Sequence, residues 1–500
     1  MKLREHPLLL ELNAWTWLKR LSKKHGRALT LPSVPEKEWA LLSAQGFDAI
    51  WLMGVWKRSP GARKCSAADS GLRRLSRELL LRGTKDDIAG SPYAVYDYAL
   101  DPQLGRPEDF AKLKRRLHNA GLGLMVDYVP NHLALDHPST ISKPERFVRG
   151  SDENFRQHPE LFFKTPHGFY LAHGRDPYFA PWTDTAQINF FSEEARRAAA
   201  SELLRIAGEA DGVRCDMAML GLNEVFEKSW GRFLKEAKRP QKEFWEEIIR
   251  KIKARYPDFI FIAEAYWDSE WPLQQLGFDF TYDKKLYDRL RFSSAAGVRE
   301  HLHADLSYQQ RSVRFIENHD EPRAMSVLGR EKSYAAAVIA ATIPGMKLLH
   351  DGQQEGKKIH QPIQLGRETQ EEGDNPTKEF YKLLLKFADQ EPFHSGLWRL
   401  LEITPAWPEN FSDANFLAWS WKKENAVRLV IVNYSPVQAQ ARVLLPTEWL
   451  AGRNASLRFR DRYSGEVYDR DLKELREPGL YVDLGPWKAH LFELNIPHSN

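Results

Sequence analysis

The fold of this chain is indicated most clearly by residues 121–132, which read GLGLMVDYVPNH. The apolar stretch within this segment predicts a buried strand of a parallel sheet. The stretch ends at Asp127, and His132 follows five residues later. Because charged residues at the carboxyl ends of barrel strands are typically catalytic, the segment predicts a barrel strand and the rim of an active site.

Three further motifs follow strand-like apolar stretches in the same way. They are Gly212-Val213-Arg214-Cys215-Asp216, Ala263-Glu264-Ala265 and Glu317-Asn318-His319-Asp320. On one barrel, the motifs would bring three carboxylates, an arginine and two histidines to a single rim. Glycoside hydrolysis requires two carboxyl groups that flank the scissile bond, and this set of residues provides them.

Strand and helix patterns alternate along most of the chain. The candidate strands are Leu9–Ala14, Ala49–Met53, Leu122–Asp127, Gly212–Asp216, Phe259–Glu264, Phe278–Tyr282, Val313–Asn318 and Met346–His350. The helical patterns between and after them are Glu36–Gln45, Pro107–Ala120, Ser192–Glu209, Lys242–Arg255, Asp283–Leu290, Lys332–Ala341 and Lys378–Asp389. Strands that alternate with helices predict an α/β fold, and eight such units predict a closed TIM (β/α)8 barrel.

Two long insertions and a change of pattern predict the domain organisation. The insertions are residues 57–90, with a possible helix at Leu72–Leu81, and residues 133–187. Structureless loops of this length are uncommon, so we expect small subdomains over the catalytic rim. After Glu391 the pattern becomes a series of short strands, which predicts an all-β sandwich. We therefore assign 1–132 and 188–390 to the barrel, 133–187 to an inserted domain B and 391–500 to the C-terminal sandwich.

Composition excludes several classes of protein. The 500 residues are 42% apolar and carry a formal net charge of +4, which is typical of a globular protein. Lys and Arg alternate with Glu and Asp on helical stretches, so no nucleic-acid partner is expected. Neither a signal peptide nor a membrane span is apparent, and Cys65 and Cys215 suggest no disulfide framework. We therefore expect a cytoplasmic protein without a membrane partner.

The four motifs, in this order, resemble those of glycoside hydrolase family 13, the α-amylase family. Supporting stretches are residues 46–52 (GFDAIWL), residues 93–98 (YAVYDY) and the region from Pro344-Gly345 to Gly352-Gln353. The resemblance extends from about Glu11 to the end of the chain. It implies the barrel, the inserted domain B and an enzyme that acts on α-glucosidic bonds.

The resemblance also implies roles for the carboxylates. Asp216 matches the nucleophile, and Glu264 matches the general acid and base, which requires a raised pKa. Apolar walls formed by Ala263, Tyr266 and Trp267 are expected to raise it. Asp320 matches the carboxylate that binds sugar hydroxyls and stabilises the transition state. Arg214, two residues before Asp216 and so on the same strand face, can keep that carboxylate ionised and oriented. Asp127 is interpreted as a structural partner of Arg214.

Three further residues match sugar-binding positions of the family. His132 and His319 match ligands of sugar hydroxyls, and Tyr93 matches an aromatic ring that stacks on the reacting sugar. Each also has a structural alternative, since single histidines and tyrosines often serve packing alone. Arg175, within domain B, is left open between a phosphate ligand and a salt-bridged loop residue.

No cofactor is expected. The family often ligates calcium with an aspartate where this chain has Gln187, although Asn131 is kept. An amide in place of a carboxylate makes a weak site for a hard cation, so calcium is not favoured and no metal ligand is assigned.

These observations predict a retaining α-glycosidase that acts on α-glucans or short α-glucosides through a glycosyl-aspartate intermediate. A transglycosylase or phosphorylase, for example a maltosyltransferase-like enzyme, uses the same carboxylates and remains the alternative. A catalytically silent carbohydrate-binding protein on the same fold is a third possibility. The loss of a catalytic carboxylate would favour it, and all three are present here.

Overall fold

A closed parallel barrel forms the centre of the protein. In the computed structural model, the described residues are 1–234, 238–450 and 456–496. The eight barrel strands are β1 (Leu8–Asn13), β2 (Ala49–Met53), β3 (Gly123–Tyr128), β4 (Gly212–Cys215), β5 (Ile260–Ala263), β6 (Phe280–Tyr282), β7 (Ser312–Arg314) and β8 (Met346–His350). Each strand pairs with the next along the chain, and β8 closes the barrel against β1. The predicted TIM barrel is thus confirmed.

The barrel strands are buried on both faces, which explains their uninterrupted apolar sequences. Every residue of β2, β3 and β8 is buried. The predicted bounds of β2 and β8 agree with the structure, whereas β7 ends at Arg314 and not at Asn318. The residues from Glu317 to Asp320 therefore lie beyond the strand, in the loop that carries the fourth motif.

Helices surround the barrel in the predicted order. Those in the described barrel regions are Ala14–Lys24, Glu36–Ser43, Phe110–Asn119, Glu193–Glu209, Asn223–Trp230, Phe244–Arg255, Glu270–Gln275, Lys284–Phe292, Ala295–Leu302, Leu306–Gln310, Ala324–Val327, Gly329–Thr342, Asn375–Ala388 and Pro392–Ser395. Several begin at a side chain that accepts a backbone N–H of the first turn, as Ser192 and Asp374 do. Such N-caps satisfy donors that have no partner within the helix.

Both insertions contain regular structure. The first holds two helices, Pro60–Ala68 and Ser70–Leu79, where one helix at Leu72–Leu81 was predicted, and strands Trp56–Arg58 and Val95–Leu100 flank it as an antiparallel pair. The second contains helices Ser139–Ser142 and Asp152–Gln157 and a sheet of Arg149–Gly150, Tyr170–Ala172 and Phe162–Lys164. A further strand pair, His132–Ala134 with Thr185–Gln187, joins the second insertion to the end of β3.

The C-terminal region is built from antiparallel strands. Six of them form one sheet, in the order Leu397–Leu400, Phe416–Lys423, Ala426–Asn433, Ala489–Asn495, Ser456–Asp461 and Val467–Asp471. Ile403–Pro405, Ala439–Val443 and Leu480–Leu484 form the other, and helices Thr447–Leu450 and Leu472–Arg476 accompany them. Residues of both sheets share one apolar core, so the predicted β-sandwich is confirmed.

The sandwich is joined to the barrel by buried hydrogen bonds. The indole N–H groups of Trp419 and Trp421 donate to the carbonyl oxygen of Thr342, at 3.1 and 2.6 Å.

Across residues 1–234, 238–450 and 456–496, none of the helices has the length and hydropathy required to cross a bilayer.

Candidate active site

The guanidinium of Arg214 forms the centre of the predicted site. Its Nη1 donates to Oδ1 of Asp216 at 2.6 Å, and its Nη2 lies 2.8 Å from Oε2 of Glu264. The same Nη2 is 3.9 Å from Oδ2 of Asp320. One buried cation thus brings together the three carboxylates that the sequence placed on different strands.

The strands position these groups because they end side by side. Arg214 lies within β4, and Asp216 follows that strand directly; Glu264 follows β5, whose residues pair with those of β4. Met217, directly after Asp216, has a φ of 41°, which is unusual for a residue with a β-carbon. Its backbone N–H donates to Oε2 of Glu264 at 2.6 Å. The sharp turn after β4 therefore supplies a hydrogen-bond donor to the neighbouring carboxyl group.

Glu264 has the properties required of a general acid at neutral pH. Its side chain is 4% exposed, and burial, partly offset by Arg214, raises the pKa of this carboxyl group to about 7. The hydroxyl of Tyr266 donates to Oε1 at 2.8 Å. Tyr266 and Trp267 were interpreted as apolar walls; instead, Tyr266 is a polar partner and Trp267 is 40% exposed. The desolvation that raises the pKa arises from burial at the strand end.

Asp216 and Asp320 differ in their surroundings. Burial raises the pKa of Asp216 above its ordinary value, and the hydrogen bond from Arg214 opposes that shift. Burial also acts on Asp320, but His319 and Arg214 outweigh it and lower the pKa of this carboxyl group to about 2. Because the Asp320 side chain is 43% exposed, against 9% for Asp216, it is the carboxylate most open to an incoming sugar.

His319 connects three of the predicted residues. Its Nε2 lies 2.7 Å from the hydroxyl of Tyr93 and 3.0 Å from Oδ2 of Asp320. The rings of Tyr93 and His319 are stacked, with centroids 5.5 Å apart, and the guanidinium of Arg214 lies 5.2 Å from the centre of the Tyr93 ring. Tyr93 therefore lies within the cluster, where its ring can contact a sugar bound at the rim.

His132 lies at the end of β3, where domain B begins. Asn131 Nδ2 lies 3.4 Å from its Nδ1, and its ring packs 5.1 Å from that of Trp182. Burial lowers the pKa of His132 to about 4, so the ring is neutral at physiological pH. A neutral imidazole can both donate to and accept from sugar hydroxyls.

Asp127 and Arg214 are neighbours in the register of β3 and β4, but the structure shows no hydrogen bond or ion pair between their side chains, contrary to the interpretation from sequence. Its carboxylate accepts hydrogen bonds from the backbone N–H of Gly54, at 2.7 Å, and from the indole of Trp51, at 3.1 Å. Gly54 has a φ of 74°, a conformation that glycine adopts without strain. Asp127 therefore holds the turn after β2, and the direct contacts of the Arg214 guanidinium are with Asp216 and Glu264.

The side of the site beyond Glu264 is rich in exposed aromatic groups. Trp267 and Asp268 both have positive φ angles, of 58° and 63°, and the rings of Trp267 and Tyr178 contact each other at 4.8 Å. A cavity of about 460 Å³ opens here, lined by Phe179, Tyr266 and Trp267 among others. Non-glycine residues in this backbone region are uncommon and cluster at functional sites. The strained loop thus presents the Trp267 indole three residues after Glu264, in contact with Tyr178 of the second insertion.

Arg175 does not form a salt bridge within its loop. Its Nε donates to the backbone carbonyl of Asp176 at 3.1 Å, and its guanidinium lies 5.7 Å from the centre of a Trp230 ring. The Asp176 carboxylate instead accepts the N–H groups of Tyr178 and Phe179. Arg175 therefore shapes the domain B loop through its backbone contact.

The calcium ion that the family resemblance implies does not fit the residues present. Nε2 of Gln187 lies 2.9 Å from both the backbone and side-chain oxygens of Asn131 and 3.0 Å from the carbonyl oxygen of Ile188. The amide thus directs N–H groups at oxygens that a calcium ion would need as ligands. Within the described ranges, no group of three or more His, Cys, Asp or Glu side chains has a geometry suited to a metal ion.

We expect chelation to leave the stability of this protein unchanged, because the Gln187 amide satisfies these oxygens without an ion. Thermal melting with and without EDTA measures this. Gln187→Asp removes the N–H donors and restores a carboxylate, so this variant should melt lower and regain stability with calcium. At a calcium concentration a hundredfold above the dissociation constant of the variant, the free energy of unfolding should rise by about 2.7 kcal/mol. A chelator-induced fall in the wild-type melting temperature that calcium reverses would contradict the expectation.

The fold and site together define a class of protein. A (β/α)8 barrel with paired carboxyl groups at its carboxyl rim is the arrangement of an enzyme that cleaves or transfers glycosides. Residues 40–398 match the family model described as the alpha amylase catalytic domain. The chain therefore belongs to the α-amylase family of glycoside hydrolases, as its motifs predicted.

Individual relatives are distant. An α-amylase, MalA, from Haloarcula japonica is 26% identical over 406 residues, which are 79% of this chain and 51% of that protein. An α-1,4-glucan:maltose-1-phosphate maltosyltransferase from Rhodospirillum rubrum is 25% identical over 326 residues, covering 62% of this chain and 40% of that protein. The chain thus spans about half of the length of such curated relatives.

A solved structure extends the likeness to the whole fold. The maltogenic α-amylase AmyB from Thermotoga neapolitana superposes with a TM-score of 0.68 at 18% identity, covering 98% of this chain and 99% of that one. At this identity the likeness concerns the fold alone. It includes the barrel and the C-terminal sheets in one architecture.

Sequence reasoning missed some contributors to the site. The N–H of Met217 and the hydroxyl of Tyr266 carry no motif of their own, since their roles arise from the turns after β4 and β5. Glu11 of β1 also contacts the site through Nδ1 of His319. A sequence signal for Glu11 did exist, because a single charge interrupts the apolar residues of a strand that must be buried.

Proposed function

We propose that this protein is a retaining α-glycosidase that acts on α-glucans or short α-glucosides. The observation that carries the proposal is the sharing of Arg214 by Asp216 and Glu264, which places two carboxyl groups at the ends of adjacent strands. Retaining enzymes need such a pair, about 5–5.5 Å apart, on opposite sides of the reacting bond. We further propose that the protein acts in the cytoplasm.

In the first proposed step, a carboxylate oxygen of Asp216 attacks the anomeric carbon of the bound sugar. The bond from that carbon to the leaving oxygen breaks, and Glu264 donates its proton to the leaving oxygen. A glycosyl ester of Asp216 results, and Glu264 is left ionised. Its pKa of about 7 supports this role, since a group that both gives and takes a proton works best when its pKa is near the ambient pH.

In the second step, Glu264 takes a proton from water while the water oxygen attacks the same carbon. The ester bond breaks, Asp216 is released as a carboxylate, and the α-configuration is restored. Asp320, His132, His319 and the Tyr93 ring would hold the sugar during both steps. Asp320 suits contact with sugar hydroxyls because it is the most exposed of the three carboxylates.

Transfer to a second sugar or to phosphate is the alternative fate of the same ester. The exposed ring of Trp267 favours it as a second candidate, because this ring lines the same cavity as Tyr266, the hydrogen-bond partner of Glu264, and its aromatic face can hold an acceptor sugar. Likeness to a maltosyltransferase supports the same candidate. Product analysis with and without acceptor sugars or phosphate separates hydrolysis from transfer.

We expect the first-formed product to be the α-anomer, since two displacements at one carbon restore the original configuration. Proton NMR of a fresh reaction on maltooligosaccharides measures the anomer before mutarotation equilibrates it. A spectrum taken after full equilibration of the same sample is the control. An initial β-anomer would show a single displacement and would overturn the proposed ester.

A further inference from the structure

Glu11 is a charged residue at a place where a barrel strand is otherwise apolar. It lies within β1 between Leu10 and Leu12, and its surface is 0% exposed. Its neighbours in the barrel register are Trp51 of β2 and His350 of β8. Removing a carboxylate from water carries an effective penalty of several kcal/mol, so this position requires a compensating partner.

The partner of Glu11 is His319. Oε1 of Glu11 forms a short hydrogen bond with Nδ1 of His319, while its Oε2 has no hydrogen-bond partner. The opposite nitrogen of the same ring, Nε2, lies 2.7 Å from the Tyr93 hydroxyl and 3.0 Å from Asp320. Glu11 thus hydrogen-bonds to the far side of the imidazole ring whose opposite nitrogen faces Tyr93 and Asp320.

We propose that Glu11 is a positioning residue that keeps His319 doubly protonated, so that its Nε2–H is always a donor toward the bound sugar and Asp320. The argument is one of geometry. Both ring nitrogens lie within hydrogen-bonding distance of a carboxylate, and a carboxylate accepts but does not donate when ionised. In the imidazolium form, Nδ1–H donates to Glu11 and Nε2–H is directed at both the Tyr93 hydroxyl, which accepts, and the Asp320 carboxylate.

The two sugar-binding histidines then carry different charges. Burial lowers the pKa of His319, but Asp320 and Glu11 outweigh it and raise the pKa well above the ordinary value. His132 is equally buried but has no carboxylate on its ring, and its pKa falls to about 4. His319 therefore offers the sugar a cationic donor and His132 a neutral group. The contact of Glu11 with His319 accounts for this difference.

Several further charged or titratable groups lie near Glu11 and His319. Asp320 and Glu11 are the two anions on the His319 ring, while His350 and Arg323 face Glu11 from β8 and from the loop after β7. The Arg323 guanidinium forms an ion pair with Glu317 at 2.6 Å and donates to Nδ1 of His350 at 2.8 Å, so its short contacts are with these groups and not with Glu11. The hydroxyl of Tyr282, which also faces Glu11, remains protonated because burial raises its pKa. No cation among these groups replaces His319 as the hydrogen-bond partner of Glu11.

The proposal rests on the proposed function for its catalytic meaning, yet it can be tested without catalysis. NMR titration of protein labelled with carbon-13 at histidine Cε1 follows each imidazole in the absence of substrate. The chain has 16 histidines, and a spectrum of His319→Asn identifies the resonance that this variant lacks. In the wild type, the His319 resonance should stay in the imidazolium position through neutral pH.

Glu11→Gln keeps the shape of the side chain and removes its charge. We expect the titration midpoint of His319 to fall by about one to three pH units, the usual effect of a charge at this range. Glu11→Asp keeps the charge on a shorter side chain, so the titration midpoint of His319 should lie between those of Glu11→Gln and the wild type. Asp461→Asn is the matched control, because it neutralises another buried carboxylate that binds a histidine, His490, in the C-terminal domain. It should leave His319 unchanged.

Activity provides the second readout. Losing one hydrogen bond to a charged group predicts a fall in kcat/KM of about 10- to 100-fold for Glu11→Gln, with loss of activity as His319 deprotonates at high pH. If His319 titrates in Glu11→Gln as in the wild type, the positioning role is wrong, whatever the rate. If Asp216→Asn retains activity while the titration shifts as expected, the proposed function fails and the Glu11–His319 coupling stands. Melting curves of both Glu11 variants establish that the measured protein is folded.

Discussion

Asp216→Asn is expected to reduce kcat/KM by about 10⁴-fold or more, as loss of a nucleophile does in other enzymes with covalent intermediates. An amide oxygen is a poor nucleophile and cannot carry the negative charge that attack on the anomeric carbon requires. The substitution keeps the size of the side chain and an oxygen that can still accept from Arg214. Initial rates on a maltooligosaccharide measure the effect.

A matched control is available on the same strand. Asp211 lies at the amino end of β4, where it binds His118 and the N–H of Leu124 and lies far from the catalytic rim. Asp211→Asn should lower stability while leaving kcat/KM within a few-fold of the wild type. Near-native activity in Asp216→Asn, with folding verified by thermal melting, would show that the nucleophile is another group.

Glu264→Gln is expected to produce the second largest loss, about 10²- to 10⁴-fold in kcat/KM, because the amide has no proton to give the leaving oxygen. The size of the loss should depend on the substrate. A glucoside with a leaving group that departs without protonation, such as a fluoride, bypasses the first role of Glu264. The variant should therefore form the ester from such a substrate far faster than from maltooligosaccharides. An equal loss on both substrates would mean that Glu264 is not the acid.

The pH dependence of the wild type follows from the same group. Since the pKa of Glu264 is raised to about 7, the proton is present below that pH and is lost as the pH rises through it. The alkaline limb of kcat/KM should therefore lie near pH 7. The acidic limb of the same pH profile depends on ionisation of both Asp216 and Asp320. Because these two groups titrate together, its midpoint is assigned to the pair and not to either residue. In Glu264→Gln the limb near pH 7 should disappear.

Much of the architecture follows from local sequence patterns. Buried strands and amphipathic helices are recognised by the different spacing of their apolar residues. Eight strand–helix units of this kind close into a barrel. Because parallel strands end on one rim, the motifs at Asp216, Glu264 and Asp320 already indicated a common site. The predicted end of strand β7 lies four residues beyond the observed end, since its apolar pattern continues into the loop that carries His319.

The partners of these side chains were decided by tertiary structure. Asp127 was interpreted as a side-chain partner of Arg214, but its carboxylate instead accepts the N–H of Gly54, and no periodicity in sequence reveals the turn that places this N–H. Tyr266 was taken for an apolar wall because its ring is apolar, yet a strained loop places its hydroxyl on Glu264.

Glu11 and His319 illustrate the physical limit of sequence reasoning. The chain itself determined that a carboxylate would interrupt β1 and that a histidine would follow β7. The two residues are 308 positions apart, and only closure of the barrel between its first and last strands brings them into contact. Periodicity decides which face of a strand is buried, whereas side-chain pairing across a closed sheet depends on register and on turns far away in the chain. That is why the sequence determined the fold and indicated the carboxyl groups to which we assign catalysis, and the tertiary structure alone determined which side chains they contact.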